Sequence, residues 1–293
     1  MRLTTKIIIG IIMSFFILSL LLIIGYSFTD RKNYRRSFPE SAIKIPQENK
    51  TCINLEKYKV IILEVELSDT ERSYYCYFPN EENGLFISPA TTGDEENKLF
   101  FPEALNDFIY TQINNDTLTV KIKIDEVREN FGIINGALEK REISRFMYGY
   151  SISGFNLHLH TLNVNVINNT DIETQIRNMK TDSIKIYSTG EITIDSCFAN
   201  VIEPSSKRKL TVTNSIAKSI YLDLDIVNDW NIDNDSDIDA YFFSGSKKSN
   251  NISLRSDYRG KIIWQPKNTD AEFNIKIKGN AAEINFETQS ISD

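Results

Sequence analysis

The stretch "SIKIYSTGEITID", Ser183 to Asp195, sets apolar side chains at every second position. Ile184 and Ile186 precede a Ser-Thr-Gly break, and Ile192 and Ile194 follow it. Alternation of period two marks a half-buried strand, and the polar Gly-containing break marks a turn. The unit reads as strand, turn, strand. Five further units of this kind align with it: "LHLHTLNVNVI" from Leu157, "LTVTNSIAKSIYLDL" from Leu210, "IDNDSDIDAYFF" from Ile232, "ISLRSDYRGKIIW" from Ile252 and "FNIKIKGNAAEINF" from Phe273. The steps between successive starts are longest at the first two, from Leu157 to Ile184 and on to Leu210, and shorter and nearly even after that. Periods of about 20–50 residues mark stacked architectures. One unit cannot bury its apolar face alone, but a stack of them can. The expected fold class is all-β: an irregular single-stranded β-solenoid, with a β-sandwich or barrel of regular hairpins as the competing arrangement.

Upstream, strand signals continue. "YKVIILEVEL" (Tyr58 to Leu67) and "RSYYCYF" (Arg72 to Phe78) are rich in β-branched or aromatic residues. "DTLTVKIKID" (Asp116 to Asp125) puts Leu118, Val120, Ile122 and Ile124 on one face and Thr119, Lys121 and Lys123 on the other. The pattern breaks from Asp125 to Tyr150, where "GALEKREISRFM" reads as a short helix or an irregular insertion.

Ile7 to Phe28 is a long uncharged run dominated by Ile, Leu and Phe. At about 1.5 Å per residue it spans a hydrocarbon core of about 30 Å. A cleaved signal would have a shorter apolar region and an Ala-x-Ala exit; here the exit is "GYSFTDRK", so an uncleaved anchor is expected. Basic residues flank both ends. Their count alone favours a cytoplasmic body, yet long domains translocate largely regardless of such charge. We take the N-terminus as cytoplasmic and the body as periplasmic or otherwise extracytoplasmic. A helical anchor argues for the inner membrane of a two-membrane cell. The layout expected is a tail over 1–6, a transmembrane helix over 7–28, a juxtamembrane linker over 29–51, an N-terminal β part over 52–150 and a repeat-containing β-solenoid over 151–293. The short tail before the helix is too small for a signalling module.

The chain of 293 residues is 41% hydrophobic and 11% aromatic, enough to fill a core, which excludes wholesale disorder. Net charge is −7, divided as +5 over residues 1–36 and −12 over the rest. So acidic a body repels phosphate backbones and argues against nucleic-acid partners. Arg31, Lys32, Arg35 and Arg36 read as a stop-transfer flank, with contact to anionic headgroups as the alternative. Cys52, Cys76 and Cys197 show neither C-x-x-C nor zinc spacing. A Cys52–Cys76 disulfide and three unpaired thiols remain equally open.

The N-terminal hydrophobic segment, "NDTLTVKIKI" at 115–124 and "SIKIYSTGEITID" at 183–195 resemble the auto-transporter adhesin head (GIN) domain group and the related adhesin β-solenoids of Bacteroidetes envelope proteins. The resemblance spans about residues 52–290. It matches at Gly190 and Gly279 and loosely at Gly260, and departs at Leu210–Leu224 and Ile232–Phe243, whose turns lack Gly. It implies a right-handed β-helix-like fold at the cell envelope and carries over no catalytic residue.

Several residues suggest chemistry. His158 and His160 project to one face of a strand, where they would be solvent-facing or hold a metal with carboxylates or Cys197 from other rungs. Asp233, Asp235 and Asp237 alternate like calcium ligands, but the sixth and twelfth loop positions, Ile238 and Ser244, lack the required Gly and Glu. That stretch reads as the turn of the fourth unit. Trp230, Trp264, Tyr241 and Tyr258 read as packing residues before a carbohydrate strip. The sequons at Asn168–Thr170 and Asn251–Ser253 are expected by chance in so Asn-rich a chain. No nucleophile elbow, H-E-x-x-H or phosphate loop is present. No catalytic, cofactor or metal residue is therefore assigned. The expected role is a membrane-anchored envelope protein serving structure, adhesion or protein interaction, with protein or glycan as its partner. The alternatives are a glycan-acting solenoid enzyme, or a periplasmic regulator working through a membrane partner.

Overall fold

Apolar residues at every second position line one side of two stacked sheets, and the two lined sides share one core. The structure, a computed structural model, describes residues 19, 42–66, 75–77, 83–90, 96–134, 149–227, 229–233, 235–255, 260–278 and 285–288. The chain divides into a unit over 1–42 and a unit over 43–293. The tail over 1–6, the span expected over 7–28 apart from Ser19, and residues 29–41 of the linker lie outside the described residues. Among the described residues no helix is long and apolar enough to cross a membrane.

One sheet of eight strands runs through Asp229–Ile232, Lys209–Thr213, Ile192–Asp195, Thr174–Arg177, Gly84–Ser88, Asn156–His160, Lys98–Pro102 and Lys50–Asn54. A second, of ten strands, runs through Asn285–Thr288, Lys261–Pro266, Asp237–Gly245, Ile216–Asp223, Phe198–Ser206, Lys180–Ser188, Val164–Asn168, Val60–Glu66, Thr117–Lys123 and Ile109–Asn114. Each strand of the repeat region pairs in parallel with the one a coil further on, not with a hairpin partner. That pairing makes the body a β-solenoid and rules out the sandwich. Residues stack in file: Val164, Ile184, Ile202, Ile220, Tyr241 and Ile262 are successive partners in the ten-stranded sheet. Leu85, Thr174, Ile192, Leu210 and Trp230 form such a file in the eight-stranded one. Burying such files supplies most of the stabilisation, about 25 cal/mol per Å² of apolar surface removed from water.

These registers correct the repeat read from sequence. One coil carries the file from Ile184 to Ile202 and, by an equal step, to Ile220; slightly longer coils then reach Tyr241 and Ile262. The two long steps of the sequence alignment, Leu157 to Ile184 and Ile184 to Leu210, arise because unlike strands were matched. Leu157 and Leu210 lie in the eight-stranded sheet and Ile184 lies in the ten-stranded one. Each of those steps is a coil and a half. It passed over Thr174–Arg177 and Phe198–Ser206, which are both strands.

The two corners of a coil use different chemistry. Between an eight-stranded-sheet strand and its successor, Asn178, Ser196 and Asn214 take positive φ of 56°, 55° and 48°. Asn adopts this left-handed geometry at low cost, which explains why Leu210–Leu224 turns without Gly. At the opposite corner Asn168, Ser188 and Ser206 are fully buried and stack in register. Asn168 Nδ2 donates to Ile172 O and Thr174 Oγ1, both at 2.9 Å, and Asn168 Oδ1 accepts from Thr170 N–H. Ser188 Oγ accepts from Gly190 N–H, and Ser206 Oγ donates to Gly190 O. Gly190 is needed here for space, because a Cβ would lie 2.6 Å from Ile172 O of the coil below.

The N-terminal strands are built into the same stack. Gly84–Ser88 lies between Asn156–His160 and Thr174–Arg177, parallel to both, and Val60–Glu66 stacks on Val164–Asn168. Antiparallel pairing of Lys98–Pro102, Lys50–Asn54 and Ile109–Asn114 ends the parallel ladders on this side. "DTLTVKIKID" forms the strand Thr117–Lys123 with Leu118, Val120 and Ile122 buried, as its alternation requires. Ile124, assigned to that strand from sequence, instead opens the helix Ile124–Ile134. There Ile124, Val127 and Phe131 share one buried stripe at i, i+3 and i+7. "GALEKREISRFM" lies outside the described residues.

Candidate functional site

The outward face of the ten-stranded sheet carries a shallow groove of about 440 Å³ that crosses the coils from Val164–Asn168 to Lys261–Pro266. Alternation decides which side chains reach it. Tyr187 follows the inward Ile186, Tyr221 precedes the inward Leu222, and Phe242 precedes the inward Phe243. Tyr221 and Phe242, register partners on adjacent coils, stack with centroids 4.4 Å apart and planes 13° from parallel. Tyr221 is 36% exposed, and Lys207 Nζ sits 5.7 Å from the centre of the Tyr187 ring. Stacked on each other along the ladder, the two rings cover one another's faces and turn their edges outward.

Around these rings lie charged groups that pair within the protein. Lys185 and Glu203 pair at 3.0 Å. Lys267 Nζ lies 2.6 Å from both Asp223 carboxylate oxygens and 3.0 Å from Asp225 Oδ2. Partial burial works against the Lys267 charge, but the hydrogen bonds to Asp223 and Asp225 outweigh it and raise its pKa above the usual lysine range. The Asp225 carboxyl is likewise disfavoured by burial, and is held below the ordinary carboxylate range by the Ser246 N–H and Lys267. Glu203 and Asp223 are thus acidic residues on neighbouring coils facing one groove. Each is engaged by its own lysine rather than aimed with the other at a common point.

The residues singled out from sequence fall elsewhere. His158 and His160 lie half-buried on the outward face of the eight-stranded sheet, each against an aromatic neighbour. The His158 ring lies 4.8 Å from Phe86 and the His160 ring 4.8 Å from Phe100. Burial, then Lys50, then His160 lower the His158 pKa. Among the described residues no three His, Cys, Asp or Glu side chains gather as a metal site. Cys197 is remote from these histidines, buried, and donates weakly to Asp195 O; burial pushes its thiol up to about 11. Cys52 is a free, exposed thiol, and the Cys76 side chain lies outside the description.

Of "DNDSDID", Asp233, Asp235 and Ser236 lie at the corner, and residues 237–239 already belong to the strand Asp237–Gly245. Asp233 Oδ1 accepts from Asn214 N–H and from the Ser236 hydroxyl, and Ser236 Oγ accepts from Ser215 N–H. Its first carboxylate is thereby used in joining one coil to the next. Trp230, Trp264 and Tyr241 are packing residues, not a surface strip. Trp230 and Tyr241 surround Phe243, and Trp264 stacks on Phe273 with centroids 4.6 Å apart. Tyr258 lies outside the described residues. The Asn168 amide is fully engaged inside a corner, whereas Asn251 is exposed on a strand. Sequence reasoning passed over Tyr187, Tyr221 and Phe242. The available signal was an aromatic residue at the outward position of an alternating strand.

No family model and no curated protein matches the chain. Among solved structures it is similar to a "putative adhesin" from Bacteroides fragilis, at 12% identity over 84% of this chain and 100% of that one, with a TM-score of 0.44. It is also similar to a "putative adhesin" from Parabacteroides distasonis, at 10% identity, 84% and 100% coverage and a TM-score of 0.34. A third is a "putative lipid binding protein" from the same species, at 10% identity, 83% and 99% coverage and a TM-score of 0.34. The names agree with the coarser half of the resemblance read from sequence and say nothing of the GIN domain group. Likeness at this level assigns neither family nor activity.

Proposed function

We propose that this chain is a single-pass envelope protein whose β-solenoid displays a binding face for adhesion or protein interaction, without catalysis. The observation that carries the reading is the groove: solvent-reachable aromatic rings set by register on a stacked scaffold, among charged groups that pair within the protein. Interaction proteins use such rigid aromatic anchors with a polar rim. The uncharged run over residues 7–28 supports a helical anchor in the inner membrane, and the length of the body after it supports export to the periplasmic side. The lysine partners of Glu203 and Asp223 weigh against a glycan-cleaving pair, which needs one carboxyl free to donate a proton.

Cys52 offers the test, because it is exposed and free. In a Cys76→Ala, Cys197→Ala chain, a membrane-impermeant maleimide should label Cys52 on intact spheroplasts, and the protein should stay with membranes through an alkaline wash. Labelling only after lysis, or release by the wash, would overturn the placement. For the role itself, cells expressing Tyr221→Ala should lose the surface or partner attachment that wild-type cells show; unchanged attachment would count against the binding face.

A further inference from the structure

We propose that this chain pairs with a second copy of itself through a row of side chains at one corner of the solenoid, apart from the groove: Lys180, Phe198, Ile216 and Asp237. Each is the first residue of its strand, and the four are successive register partners in the ten-stranded sheet. Ladder bonds fix the row. Phe198 N–H donates to Met179 O, Ile216 N–H to Cys197 O and Asp237 N–H to Ser215 O, at 2.7, 2.8 and 2.8 Å. Cys197 and Ala199 flank Phe198 and are buried, and Ser215 and Ala217 flank Ile216 in the same way, so alternation turns the row outward. Phe198 is 49% exposed and Ile216 47%, although both are large and apolar. Exposed apolar side chains scattered singly are ordinary; two that are neighbours in one ladder form a patch that gains by being covered.

The charges select the partner. The row begins with a cation and ends with an anion. Lys180 Nζ lies 5.9 Å from the centre of the Phe198 ring, at one end of the apolar pair, and Asp237 stands at the other end. Unlike Lys185 and Glu203, neither is taken up by an ion pair among the described residues. A two-fold axis between Phe198 and Ile216 runs a second row in the opposite direction. It sets Phe198 against Ile216 of the second copy, and Lys180 against that copy's Asp237, once at each end. Copies aligned in the same direction would put Lys180 on Lys180 and Asp237 on Asp237, which repel. An anionic lipid surface or a polyion carries one dominant sign and meets repulsion at one end of the row. Strands about 4.8 Å apart make the row about 14 Å long. A contact of that size falls below a standard interface, so the pair is weak and reversible, with a Kd of about 1–100 µM.

The test uses the full-length protein in detergent micelles, with its detergent-corrected mass read by sedimentation equilibrium from about 1 to 200 µM. The mass should rise from one chain to two. Phe198→Asp should leave a single chain throughout. Lys180→Glu and Asp237→Lys should each raise Kd at least about tenfold, because each replaces attraction by repulsion at both ends, and the double variant should return to within about threefold of the wild type. A carbodiimide, which joins an amine directly to a carboxylate, should link Lys180 to Asp237 in the wild-type protein; three coils apart, about 14 Å, the two side chains cannot meet within one chain. Thermal unfolding of each variant checks that the fold is kept. One chain at every concentration, no Lys180–Asp237 link, a folded Phe198→Asp that still pairs, or a double variant as weak as the single ones would each overturn the assignment. So would a wild-type protein that stays a single chain while cells expressing Phe198→Asp lose attachment, a result that gives the patch to a different partner.

Discussion

Phe242 and Phe243 are neighbours in sequence on opposite sides of one sheet, and truncating each in turn tests the architecture. Phe243 is fully buried, with Leu222 and Trp264 as its register partners and the Trp230 and Phe273 rings 5.6 and 5.5 Å away. Phe243→Ala removes a ring from between two coils and leaves a cavity, at a cost of about 3–5 kcal/mol. Phe242→Ala loses one stack with Tyr221 on the outward face, about 0.5–1.5 kcal/mol beyond a partial loss of burial. The only two tryptophans in the chain, Trp230 and Trp264, both lie beside Phe243, so indole emission during urea unfolding reports the coils concerned. Coil stabilities couple mainly to nearest neighbours, which makes a local probe the right one. With a slope of about 3 kcal/mol per molar urea, Phe243→Ala should lower the midpoint by about 1–1.7 M and Phe242→Ala, stacking and partial burial together, by less than about 1 M. Equal losses, or a larger loss at Phe242, would refute the register, because a slip of one residue exchanges the two faces.

Three further outcomes follow from the corners and thiols. Asn168→Ala orphans Ile172 O and Thr170 N–H in a buried corner, and should cost about 2–3 kcal/mol by urea denaturation. Cys52 should react with a maleimide at pH 8 in the native protein while Cys197 reacts only after denaturation, because burial and a thiol pushed up to about 11 leave it almost no thiolate. Asp195 accepts from the Thr213 hydroxyl and the Asn214 amide, and these bonds hold its carboxyl below the ordinary carboxylate range. A depressed folded pKa contributes stability that is complete above about pH 4 and lost as pH falls through the lower folded value. Asp195→Asn should therefore flatten the acid limb of a midpoint-versus-pH curve and leave neutral stability within about 1 kcal/mol.

The stacked all-β body was legible because alternation in units such as Ser183–Asp195 is strict, and each polar break is short. The coil length was not, for local reasons. Phe198–Ser206 contains Pro204, which argues against a central strand from sequence, yet Pro204 sits buried in register with Ile186. Thr174–Arg177 is very short and holds a single Ile. With both strands unseen, unlike corners were compared, and the absence of Gly at Asn214 looked like a departure when it marks a different corner. The groove was illegible for another reason: Tyr187, Tyr221 and Phe242 are dispersed along the chain, and only register brings them to one face. The metal and carbohydrate candidates read from sequence were local clusters, and the aromatic ones among the described residues proved to be core.

The strand Gly84–Ser88 also constrains the order in which this protein can be made. Leu85 pairs with Thr174 and, on its other side, Gly84 pairs with Asn156; the ribosome adds both partners long after it has passed this strand. The first coils therefore cannot close as the N-terminus emerges. Through the synthesis, and on the route proposed here the translocation, of that interval, Leu85 and Ile87 stay without their native neighbours and exposed to proteases and to pairing with other chains. The coils beyond Thr174 can add one upon another, so the slow step should lie at the N-terminal end, and truncations that stop short of Arg177 should be degraded rather than accumulate as a shorter stack.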